Sequence, residues 1–239
     1  MAAAHVQTQR ATGTDGNSSV GISMTVTAGN SLLVFVQGGS GQTVSGVSGG
    51  GNSYNAQTGV TGPFYGIKVT SFTAHGISGG TYTVTGTFSG ATYYPWIMVV
   101  EVSGADSDGP SGYVYDASPS PTGTDGVATT GGANSSQGLM FGLAFGVSSS
   151  SPGTGFSFDN YGSDMGNAGV GYTTYWVTEY MHISSTGSSV NAIWTNTYSS
   201  DNIGAIAQMV YDSGTPSSVH FHTTLSGIGT KAGQRQVQF

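Results

Sequence analysis

Ser31-Leu32-Leu33-Val34-Phe35-Val36-Gln37 carries five apolar residues in succession between polar ones. Successive side chains of a β-strand point to opposite faces, so an unbroken apolar run suits a central strand covered on both sides. The sequence around it is punctuated like that of an all-β protein. Runs rich in Val, Ile, Thr, Tyr and Phe recur between Gly, Ser and Asn, while the strong helix formers Leu, Glu, Lys and Arg are scarce. The pattern predicts strands over residues 20–27, 31–37, 64–74, 81–88 and 94–102, and again over 139–147, 173–183, 189–198 and 203–211. In Thr81-Tyr82-Thr83-Val84-Thr85 either face can be buried, because threonine tolerates both.

Composition supports a folded chain with a quiet surface. The 239 residues suffice for one large β-sandwich or two small domains. Apolar residues make up 36% and aromatics 11%, a richness that separates this chain from disordered sequences with similar Gly and Ser content. Only 6% is charged, against roughly a quarter in an average soluble domain. A surface of hydroxyls and amides suits packing against identical neighbours, because little charge repulsion opposes close approach. The net charge is −7, and the four basic residues Arg10, Lys68, Lys231 and Arg235 form no cluster, which argues against nucleic acid as a partner. Without cysteine there are no disulfides and no thiolate metal sites. The opening residues 1–17 lack the basic and apolar regions of a signal peptide. The longest apolar run, Trp96 to Val100, is far too short to cross a bilayer. The expectation is a protein made in a cytoplasm, with no membrane partner.

The chain also echoes itself. Gly13-Thr14-Asp15-Gly16 returns as Gly123-Thr124-Asp125-Gly126, an offset of 110. At that offset Tyr65 meets Tyr175, and Val100-x-x-Ser103-Gly104 meets Val210-x-x-Ser213-Gly214, while the Leu32 strand aligns with the Leu139 strand at a slightly smaller spacing. This divides the chain into an N-terminal arm (1–12), a sandwich (13–214) with pseudo-repeats 13–104 and 123–214, and a tail (215–239). The halves either form two small sandwiches or interleave into one. The tail begins at Pro216 and alternates in Val219-x-Phe221. Its Phe221, Lys231, Arg235, Val237 and Phe239 are the candidate residues for docking on a neighbour, by strand addition and by filling pockets.

Signals for chemistry are weak. Gly46-Val47-Ser48-Gly49-Gly50 fits a nucleophile elbow, but a helix must follow the serine and Gly51-Asn52-Ser53 does not start one. Gly227-Ile228-Gly229-Thr230-Lys231-Ala232 has the form of a dinucleotide fingerprint without the strand–helix–strand unit such a site needs. A glycosidase needs two carboxyl groups across a cleft, and Glu101 and Glu179 are the only glutamates. No catalytic residue, cofactor or metal site is therefore expected. Asp106-x-Asp108 reads as a turn and His220-Phe221-His222 as solvent-facing histidines beside a buried Phe. Tyr94, Trp96, Trp176 and Trp194 are the candidates for stacking on sugar rings, with a place in the core as the competing role.

One set of residues carries a resemblance. Ala28-Gly29-Asn30-x-Leu32-Leu33-Val34, then Gly51-Asn52-x-Tyr54, Gly79-Gly80-x-Tyr82-x-Val84 and Glu101-x-Ser103-Gly104 together resemble a β-sandwich module of phage structural proteins and bacterial surface proteins. The resemblance covers about residues 20 to 214 and implies an antiparallel, jelly-roll-like sandwich of two related halves without catalytic residues. It implies a bacteriophage virion protein, a capsid decoration or head-fibre subunit, whose partners are copies of itself and other capsid or tail proteins. The alternative it leaves is a carbohydrate-binding adhesin on a phage tail or cell surface, with host glycans as partners.

Overall fold

A computed structural model of the chain describes residues 1–39, 41–61, 67–106, 114–116, 124–128, 137–147, 150–151, 157–163, 175–183, 191–196 and 204–213. The regular elements among them are all strands. The first eight are β1 (Ala4–Thr12), β2 (Ser19–Val26), β3 (Ser31–Gly38), β4 (Val44–Ser48), β5 (Asn55–Thr61), β6 (Lys68–Ala74), β7 (Gly80–Phe88) and β8 (Trp96–Ser103). The next eight are β9 (Val114–Asp116), β10 (Thr124–Ala128), β11 (Gly138–Val147), β12 (Ser150–Ser151), β13 (Ser157–Ser163), β14 (Tyr175–Ile183), β15 (Asn191–Asn196) and β16 (Gly204–Tyr211).

They form four antiparallel sheets. The first eight strands make a large sheet in the order β1-β8-β3-β6-β5 and a small one in the order β2-β7-β4. The later strands make a large sheet β9-β16-β11-β14-β13 and a small sheet β10-β15-β12. Adding eight to each strand number of the first pair of sheets gives the second pair, and no sheet mixes strands of the two sets.

The Leu32–Val36 run does what its pattern demands. All eight residues of β3 are buried, with β8 on one side and β6 on the other. Leu32, Val34 and Val36 face the first small sheet and pack with Val20, Met24, Val84 and Phe88. Leu33 and Phe35 face the other way, with Met98, Val100 and Val102 of β8, onto Leu139, Phe141 and Leu143 of β11 and Ile206 and Val210 of β16. The two large sheets thus share one apolar core, and β15 and β10 lie against β11 and β16 on the far side. The order of layers is small, large, large, small.

Two expectations need correction. Residues 4–12, set apart as part of an arm, form β1, which pairs with β8 along its length from Ala4 opposite Ser103 to Thr12 opposite Trp96. Gly13–Gly16 lies in the loop between β1 and β2, whereas Thr124-Asp125-Gly126 belongs to β10, so these matching tetrapeptides occupy different places. In β3 Leu33 stands opposite Val100, and in β11 Leu139 stands opposite Val210. Tyr65 and the tail from Thr215 to Phe239 lie outside the described residues. In β7 the ambiguity of threonine resolves outward: Thr81 and Thr83 are exposed while Val84 is buried.

Candidate functional site

The residues of the quoted motif prove to be hydrogen-bonding partners. Glu101 is fully buried on the small-sheet side of β8. Its carboxylate accepts from Gln7 Nε2 at 2.6 Å, the Thr27 amide at 2.8 Å and Asn30 Nδ2 at 2.6 Å. Burial pushes the carboxyl up, but the three donors together outweigh it and hold the group below its ordinary range. Asn52 Nδ2 donates to the Tyr82 hydroxyl at 2.8 Å, and the Ser78 amide donates to Asn52 Oδ1 at 2.9 Å. Gly50, at φ +61, lies flat under the Tyr82 ring, where a Cβ would come within 2.6 Å of ring carbons. Burial raises the Tyr54 hydroxyl to about 12 and raises Tyr82 as well. These groups hold the turns of the sandwich together, and none of them is poised to exchange a proton near neutrality.

The two glutamates do not face each other. Tyr180 packs against the core shared by the large sheets, so its neighbour Glu179, itself fully buried, points to the opposite face of β14. Glu101 likewise points away from Val100 and Val102, which line that shared core. Two sheets and an apolar layer separate the carboxylates, which is incompatible with a glycosidase pair. Ser48 ends β4 and leads into a turn at Gly49–Gly51 with no helix behind it, so the elbow reading is not supported. Among the described residues no group of three or more His, Asp or Glu side chains is placed to hold a metal ion.

A second polar cluster sits where the two strand sets meet. Asp212, nearly buried, accepts the Ala3 amide at 2.7 Å and lies 3.0 Å from His182 Nε2. His5 stacks on Tyr180 with centroids 4.5 Å apart, and the Ser213 amide donates to Gly104 O at 2.9 Å. Nothing in the sequence pattern singled out Asp212 or His182. Their partners lie more than a hundred residues away or on another strand, so no local spacing signals them.

Among the aromatic side chains described, the most exposed lies on the turn before β8. Tyr93 is 53% exposed, and Tyr94 beside it adopts φ +55. A non-glycine residue in this region costs about 1–3 kcal/mol and persists only where the surroundings hold it. They do. The carbonyls of Thr92, Tyr93 and Pro95 accept from the amides of Gly16, Gly39 and Gly13, each at 2.8 Å, and Tyr94 O accepts from Gln37 Nε2 at 3.2 Å. The Tyr94 amide donates to Asp15 Oδ1 at 2.7 Å. Gly39 permits this approach, since a Cβ there would stand 2.9 Å from Tyr93 O. The Gly13-Thr14-Asp15-Gly16 tetrapeptide is thus the brace of an aromatic turn.

Of the expected stacking residues, Tyr94 is half-buried on this turn. The expectation for Trp96 does not stand: its side chain is fully buried in the shared core. Only the backbone is described at Trp176 in β14 and Trp194 in β15. The arm residues Phe221, Lys231, Arg235, Val237 and Phe239, with Asp108, His220 and His222, lie outside the described residues. Tyr93 was not among the expected residues. Strand alternation was the signal: Trp96 shares its face with Met98 and Val100, so the free ring had to lie in the turn before it. No family model, no curated protein and no solved structure matches the chain.

Proposed function

We propose that the chain is a structural protein of a bacteriophage virion, a capsid decoration or head-fibre subunit that works by assembly rather than by turnover. One observation carries the reading: the buried carboxylates of Glu101 and Asp212 are spent on holding the fold, while the outward face of the first small sheet is a bare field of hydroxyls. On β2 and β7, Ser19, Ser23, Thr25, Thr81 and Thr83 are exposed, with Thr25 and Thr81 joined through their hydroxyls at 2.7 Å. Uncharged faces of this kind suit close packing with copies of the chain or with a capsid protein. The partners proposed are therefore the chain itself and other virion proteins, with the virion as its location.

We further infer that each set of eight strands is a jelly roll and that the second set repeats the first. In each set the orders 1-8-3-6 and 2-7-4 are those of a jelly roll, and the fifth strand sits beside the sixth. The fold recurs in viral capsid and lectin domains, and it fits the proposed role without dictating it. The tail from residue 215, with Phe221, Lys231, Arg235, Val237 and Phe239, is proposed as the arm that ties the sandwich to its neighbour. The test is mass spectrometry of purified particles, with copy number. Many copies per particle support a capsid or fibre subunit, and absence from particles overturns the reading. Removal of residues 217–239 is expected to leave a folded sandwich that no longer joins particles, and assembly of the truncated chain would overturn the arm.

A second reading, a carbohydrate-binding adhesin on a phage tail or cell surface, draws on a single feature, the exposed Tyr93 on its braced turn.

A further inference from the structure

We propose that Tyr93 is the stacking platform of a site for a neutral hexopyranose oligosaccharide. The inference rests on the adhesin reading and gives it a place and a ligand class. It does not compete with assembly of the rest of the molecule.

Three properties of the turn point there. The first is exposure. Among the aromatic residues whose side chains are described, the others are buried or half-buried, while Tyr93 leaves 53% of its surface in solvent. The Tyr94 ring, 6.4 Å away and inclined by 49°, stands beside it rather than over it. The second is rigidity. Each of the four carbonyls from Thr92 to Pro95 accepts a hydrogen bond, and the donors come from the β1–β2 loop, from the end of β3 and from Gly39 just after it. A ring on such a turn loses little freedom when a ligand settles on it, which is the advantage of a preorganised site. The left-handed conformation at Tyr94 belongs to the same arrangement, since the donors that hold it also fix the direction in which Tyr93 leaves the chain.

The third is the chemistry of the rim. Asp15 Oδ1 accepts from the Tyr94 amide, Asn17 O from the Thr92 amide and Gln42 Oε1 from the Ser89 hydroxyl, so the described neighbours of this loop are polar. A pyranose offers an apolar C–H face to a ring and hydroxyls at its edge, and this rim matches that edge. A protein partner would call for a dry apolar surround about the aromatic anchor, which these residues do not supply. The sign of the charge narrows the ligand further. Residues 13–17 and 89–95 contain no Lys or Arg, the Asp15 carboxylate accepts from the Tyr94 amide, and the chain carries −7 overall. Phosphorylated, sulfated and sialylated sugars are disfavoured, and neutral hexoses and N-acetylhexosamines are accepted.

The test is a glycan array carrying neutral and acidic oligosaccharides, probed with the full chain and with Tyr93→Ala and Tyr93→Phe. Circular dichroism then checks that both variants fold, as an exposed position allows. The expected result is binding to one or more neutral glycans, weakened about tenfold or more by Tyr93→Ala and little changed by Tyr93→Phe. If the unaltered chain binds no glycan, the adhesin reading falls and the site with it. Neutral binding that survives Tyr93→Ala overturns the site and leaves the reading in place. Binding confined to acidic glycans overturns the ligand class.

Discussion

Phe35 and Phe141 occupy matching places in the two central strands, and they touch. Phe35 lies two residues beyond Leu33, which stands opposite Val100, and Phe141 lies two beyond Leu139, which stands opposite Val210. Their ring centroids are 5.8 Å apart with the planes tilted by 30°. The contact lies in the apolar core that the two large sheets share. Replacing either ring by alanine removes a fully buried side chain and leaves a cavity, at a cost of about 3–5 kcal/mol. The two single variants should lose similar stability in chemical denaturation, and the double variant less than their sum, because the second cavity opens onto the first. Strictly additive losses would show that the rings do not share a site.

Glu101 gives a prediction in acid. Its folded-state carboxyl lies below the ordinary value despite burial, because Gln7, Thr27 and Asn30 favour the ionised form. A depressed carboxyl contributes stability that is fully present above its unfolded value and is lost as pH falls through its folded one. Stability measured from neutral pH downward should therefore decline below the ordinary carboxylate range. In Glu101→Gln that part of the decline should be absent. Glu101→Ala, which strands the buried donors, should cost about 3 kcal/mol even at neutral pH. An unchanged acid profile in Glu101→Gln would remove the carboxylate from the account.

How much of this was legible follows from position in the sheets. The strands expected from periodicity, β2, β3, β6, β7, β8, β11, β14, β15 and β16, include every interior strand. Those not anticipated, β1, β4, β5, β9, β10, β12 and β13, each border a sheet. An interior strand of a large sheet is covered on both faces and must be apolar, as Leu32–Val36 is. A border strand has a neighbour on one side only and tolerates a sequence such as Val44-Ser45-Gly46-Val47-Ser48, which reads as a loop. The motif residues were visible as a pattern, but their meaning was not. That Asn30 and Glu101 meet depends on β3 lying beside β8, a long-range pairing no local spacing encodes.

Tyr94 offers a test of backbone strain. At φ +55 a β-carbon is penalised and glycine is not. Tyr94→Gly and Tyr94→Ala both lose the half-buried ring, so the difference between them isolates the backbone. The glycine variant should be the more stable by about 1 kcal/mol, the reverse of the order expected in an ordinary strand or loop. Thermal unfolding of the pair measures it. An alanine variant equal to or more stable than glycine would show that the turn does not hold residue 94 in the left-handed region.

His75 should act nearer neutrality. Its Nδ1 lies 2.9 Å from Ser31 Oγ, and its buried Nε2 has no hydrogen-bond partner among the described residues. Burial lowers its pKa below the usual histidine value, and the nearby charge of Asp106 pulls the other way without cancelling the effect. The folded protein therefore favours the neutral ring, while the unfolded chain takes up a proton more readily. Stability from this residue is full above the unfolded value, near 6.5, and is lost as pH falls through the folded one. His75→Gln keeps a polar partner for Ser31 but cannot titrate, so its stability should be flatter than that of the unaltered chain just below pH 6.5. The two profiles should run parallel again in the acid range where Glu101 takes over, which assigns each step to its own residue. A persistent decline near neutrality in His75→Gln would place that proton on another group.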